Sequence, residues 1–137
     1  MAQEVILRRM YWVGPMTIAA AVGAVAAVQQ VSLWVLHDLP KFSRNVLDSN
    51  EPAYATILFV GGAVLTFPIV VDAARNPLRT FRRLALGVLL VSCIPNLIAA
   101  FARDAGVEWG MLALMLMHVV AWAVTTLMLT RLTVRNL

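Results

Sequence analysis

Charge is what this sequence lacks most. Only 13% of its 137 residues are Asp, Glu, Lys or Arg, about half the ~25% usual in a soluble domain. Residues 13–36, 53–71, 84–101 and 109–130 contain none of the four. Carboxylates are therefore missing from every long apolar stretch. That argues against ion-coupled transport and small multidrug export, which use an intramembrane carboxylate. Cysteine is nearly absent too. Cys93 stands alone, so no intrachain disulfide forms and paired-thiol redox chemistry is excluded. A lone cysteine in an apolar run reads as a small buried hydrophobe. There is no glycine-rich phosphate loop, no His/Cys/Asp ligand spacing and no Ser-His-Asp set placed to converge. The chain does not read as an enzyme, and neither a metal nor a cofactor is expected.

What is present is apolar: 61% of the residues are hydrophobic. The four uncharged stretches each approach the ~20 residues that a helix needs to cross a bilayer core. The expected fold is all-α, a single transmembrane bundle of four helices over residues 1–137. Arg8 and Arg9 followed by Ala24-Val25-Ala26 resemble a cleaved export signal. The apolar run continues through Leu36, past the 7–15 residues of a signal core, so it is read as the first membrane helix.

The charges that exist are unevenly placed. Four crossings put both termini on one side. Arg8, Arg9, Arg75, Arg79, Arg82, Arg83, Arg131 and Arg135 fall there, against Lys41, Arg44 and Arg103 on the other. The positive-inside rule places both termini in the cytoplasm. The opposite links carry the acidic residues Asp38, Asp48, Glu51, Asp104 and Glu108. The pI of about 10.2 is then a topology signal, and no nucleic-acid partner is expected. "RNPLRTFRR", residues 75–83, is the densest basic cluster. Arg75, Arg79, Arg82 and Arg83 are candidates for contact with anionic lipid head groups. Arg75 or Arg79 can also neutralise Asp72, just past the inner end of the second helix.

In lipid, helices associate by close packing rather than by apolar faces, and small residues permit it. Ala19, Gly23 and Ala27 lie four apart on one face of the first helix, with Ala20 and Ala24 beside them. Gly61, Gly62 and Gly110 are further candidates for close approach inside the bundle. Pro68 and Pro95 each remove a backbone donor within a helix. Tyr11, Trp12, Trp34, Tyr54 and Trp109 sit near block ends and read as interfacial anchors. In the link 37–52, Leu39, Phe42, Val46 and Leu47 recur near a helical period, which suggests a short helix on the outer surface.

The polar residues inside the apolar blocks are the candidate site. Gln29 and Gln30, Ser92 and Asn96, and His118 all fall roughly 7–13 Å below the outer end of their helices at 1.5 Å per residue. Ser92 and Asn96 share a face at i, i+4, as do His118 and Trp122. Thr56 and Thr125 lie nearby. The plainest reading is a polar cluster in which a neutral His118 is satisfied across helices by Asn96, Ser92 or a glutamine. Other readings are a lipophilic or quinone-like ligand held by Gln29, Gln30, Ser92, Asn96, His118 and Trp122, haem or metal ligation, or a proton relay. His37, the only other histidine, lies at the membrane edge.

"NPLRTFRRLALGVLLVSCIPNL" and "LALMLMHVVAWAVTTLMLTRLT" resemble a bacterial family of four-span membrane proteins catalogued as a domain of unknown function. The shared pattern is a basic inner loop, a third helix with Ser and Pro, and a fourth helix carrying Met-His-Val-Val. The likeness covers mainly residues 76–133. It implies a four-helix fold in a bacterial inner membrane and brings no activity with it. The function expected from these features is that of an accessory or scaffolding element. It would act by helix packing in a homo-oligomer or a larger membrane complex, its partners being membrane lipids and other membrane proteins or itself. The alternative is a binder of a lipophilic small ligand.

Overall fold

A computed structural model describes residues 3–5, 7–36, 45, 47–101 and 109–136. It holds four long helices: α1 (Met10–Val35), α2 (Glu51–Ala73), α3 (Pro77–Phe101) and α4 (Trp109–Leu132). At 23 to 26 residues each, they run roughly 35–39 Å, enough to cross a hydrocarbon core of about 30 Å. Their most apolar stretches have mean hydropathies of 1.7 to 2.3. The chain is an all-α, multi-pass membrane protein. His37, Leu39, Phe42 and Val46 lie outside the described residues, and with them most of the expected surface helix.

α1 and α3 begin at one end of the bundle, where α2 and α4 finish. The arginine-rich segments meet there, and we call it the basic end. The chain turns between α2 and α3 in residues 74–76. Ala74 is extended, with its N–H bonded to the Val70 carbonyl at 3.0 Å. Pro77 then opens α3, where its missing N–H costs nothing. α3 thus begins earlier than residue 84. Arg79, Arg82 and Arg83 belong to its first turns, and only Arg75 lies in the link. At the far end, Glu51 and Pro52 start α2. The acidic side chain complements the helix dipole and the proline suits the first turn.

A second feature of the basic end is a short antiparallel ribbon. β1 (Gln3–Val5) pairs with β2 (Val134–Asn136) in the register Gln3↔Asn136. Arg9 donates from its guanidinium to the Leu132 carbonyl at 3.2 Å, capping α4. Polar sequence flanking apolar helices gave no hint of this pairing.

α4 is the central helix, packed most extensively on α1 and next on α3, while α2 packs chiefly on α1. Two apolar clusters hold this arrangement. At the basic end Val13, Phe67, Phe81 and Leu129 bring all four helices together. The rings of Phe67 and Phe81 meet edge to face with centroids 4.9 Å apart, a favoured aromatic geometry. Towards the far end Val25, Ala113 and Met117 enclose Leu47 from the α1–α2 link.

Gly110 is buried in α4, as a close approach requires, but most of the other small residues do not act where the sequence suggested. The buried face of α1 is Val13, Thr17, Ala21 and Val25, while Ala19, Gly23 and Ala27 point outward. A Cβ built on Gly23, Gly61 or Gly62 meets nothing within 4 Å. Gly14 is the true close approach, since a Cβ there would sit 2.9 Å from Val64 Cγ1.

Candidate functional site

The helices leave a cleft of about 420 Å³ between α2, α3 and α4. This is within the size range of small-molecule sites. α2 lines it from Glu51 and Pro52 down to Thr66, roughly 21 Å along the axis. α3 contributes Leu84, Val88, Ser92 and Asn96, and α4 contributes His118, Trp122, Thr125 and Thr126. Phe81 closes the basic end of the cleft. Leu58, Phe59, Gly62, Leu84 and Val88 are exposed along its rim, so it opens sideways between α2 and α3.

Ser92, Asn96, His118 and Trp122 are brought together as wall residues of this cleft. Gln29 and Gln30 are not among them. Gln29 turns to the α1–α2 link, where its amide nitrogen donates to the carbonyls of Leu47 and Ser49. Gln30, one position on, is exposed.

The polar residues also do not satisfy one another across helices. His118 Nδ1 lies 2.7 Å from the carbonyl of Leu114 in its own helix. A carbonyl only accepts, so Nδ1 carries the hydrogen and donates. Ser92 donates to Leu89 at 2.8 Å. Thr56, Thr66 and Thr125 each donate at 2.7 Å to the carbonyl four residues back. The expected cross-helix partners of His118 are thus replaced by a local one. An apolar bundle offers each hydroxyl a carbonyl of its own helix at bonding distance, and no distant group competes. Two polar atoms are sealed in the wall without a partner, Trp122 Nε1 and Thr126 Oγ1. Thr66 and Thr126 were not singled out from sequence, because threonines are common on any membrane helix.

Among the described residues no group of three His, Cys, Asp or Glu side chains stands close enough to hold a metal. His37 lies outside them. Of the basic cluster, Arg82 reaches α4, donating to Thr130 Oγ1 at 3.3 Å. Arg75, Arg79 and Arg83 are exposed at the basic end, and Asp72 forms no ion pair among the described residues.

No family model, curated protein or solved structure matches this chain.

Proposed function

We propose that this is a non-enzymatic protein of the bacterial inner membrane that binds a lipophilic small molecule in the α2–α3–α4 cleft. Both termini, and so the basic end, face the cytoplasm in this reading. The carrying observation is the cleft itself: apolar along most of its length, open to lipid on one side, with a few polar groups at mid-depth. That is the composition of a ligand site, in which apolar walls supply affinity and sparse polar groups supply orientation. The eight-to-three basic imbalance supports the orientation. The exposed arginines support contact with anionic head groups.

The test is gentle extraction from native membranes followed by mass spectrometry of bound small molecules. A lipophilic species should accompany the wild type and be lost from Ala85→Trp, which fills the cleft from α3. Retention of the same species by a folded Ala85→Trp chain would end this reading.

A second reading, an accessory or scaffolding element in a homo-oligomer or larger complex, has one observation in its favour. Ala19, Gly23 and Ala27 form an outward row beside the exposed Gln30, a surface on which another helix packs closely. A native gel separates the two readings. Migration with a stoichiometric set of other proteins favours the accessory role, and migration as a lone chain with its ligand favours binding.

A further inference from the structure

The hydrogen bonds already made by the cleft wall decide which polar group it can still receive. This step rests on the binding role proposed above and refines it. A serine or threonine hydroxyl has one proton. Thr56, Thr66, Ser92 and Thr125 have each committed theirs to a backbone carbonyl. Their oxygens keep only lone pairs for a ligand. His118 has committed Nδ1–H to Leu114. In the uncharged ring, Nε2 is then an acceptor as well. Nε2 has no partner among the described residues and is not sealed in the wall. The sealed atoms Trp122 Nε1 and Thr126 Oγ1 cannot be reached. Among the described residues Asn96 is the accessible wall residue with free donor hydrogens, and its carboxamide oxygen accepts too. At the far rim Glu51 adds an acceptor.

The wall is therefore rich in acceptors and poor in donors. Among the described residues a ligand that only accepts, such as a quinone carbonyl or an ester, finds a partner at Asn96 alone. An anion is matched worse. A cation placed at His118, roughly 13 Å from the start of α4, would lie at membrane depth with no carboxylate beside it, which is costly. We infer that the cleft selects an uncharged lipophilic molecule whose polar end donates a hydrogen bond, an alcohol, phenol or quinol, with that donor set on His118 Nε2. The apolar body then lies towards the basic end, along Leu84, Val88 and Phe81.

The test is a competition on the full chain in detergent, read by native mass spectrometry. The probes are nonylphenol, its O-methyl ether, which keeps the oxygen and loses the donor, and nonylbenzene. The phenol should occupy the protein about tenfold more strongly than the ether, the scale of one buried hydrogen bond. In His118→Phe the phenol and ether should bind alike, both retained through the apolar wall. Equal binding of phenol and ether to the wild type would overturn the donor inference while leaving a binding cleft in place. A phenol preference that survives His118→Phe would overturn the assignment to His118. Failure of all three probes to bind the wild type would sink the cleft as a ligand site together with the inference built on it.

Discussion

The α1–α4 seam and the α2–α3 gap are built from similar amino acids and end up opposite in character. The seam is closed: Val13, Thr17, Ala21 and Val25 are buried on one side, and Ala113, Met117 and Leu129 on the other. The gap is closed at the basic end around Phe67 and Phe81 and holds the cleft beyond them. Of its most apolar stretch, α4 buries 28% and α3 only 11%. Both pairs of facing helices are apolar, so hydrophobicity did not choose between them; lipid solvates leucine as well as another helix does. The difference comes from the neighbours. The seam is filled by Leu47, held in place by Gln29, and is pinned at its other end by Arg9 and the β-ribbon. The gap has a short turn at one end and, among the described residues, no equivalent filler.

This contrast can be broken at its strongest point first. Phe67→Ala removes the ring that shuts the basic end, and should cost about 3–5 kcal/mol. Val88→Ala, on the exposed rim of the gap, should stay within ~0.5 kcal/mol. Denaturant titration in mixed micelles compares the two. Gly14→Ala should cost about 1–3 kcal/mol, because its Cβ meets Val64 at 2.9 Å. Gly62→Ala, with open space around it, should be close to neutral in the same assay. Gln29→Leu removes the side-chain amide that donates to the Leu47 and Ser49 carbonyls and should cost about 1–3 kcal/mol. Gln30→Leu should leave thermal stability unchanged, a difference that circular dichroism melts would resolve. A small stability effect is also expected for His118→Leu, below ~1 kcal/mol. Among the described residues its only bond is to a carbonyl of its own helix. A large loss of stability there would return His118 to a packing role.

Much of the architecture was legible in the sequence. The four helices follow from uncharged runs of the right length. The start of α3 was misjudged because arginine counts against a membrane span but not against a helix, so Arg79, Arg82 and Arg83 hide a helix in its polar approach to the bilayer. Which faces turn inward was not legible. A helix apolar all round carries no amphipathic signal, and Ala19 and Ala21 look equivalent until the structure buries one and exposes the other. Gln29 and Gln30 differ in the same way. Of the site, Ser92, Asn96 and His118 were visible as polar residues at similar depth, and Trp122 as the neighbour of His118 one turn on along the same face. That they line a cleft without bonding to each other was not, since it depends on how far α2 and α3 stand apart.

The ribbon between β1 and β2 makes the backbone almost a ring. Only a short linker is needed to join Val5's strand to the strand of Val134, because the two already lie side by side. The chain could then be reopened at residues 74–76, on that same end of the bundle. Such a circular permutant would exchange one pair of chain ends for another without moving any end across the membrane. Its order of insertion would change, with α3 and α4 made before α1 and α2, while every helix contact of the finished bundle stayed as it is.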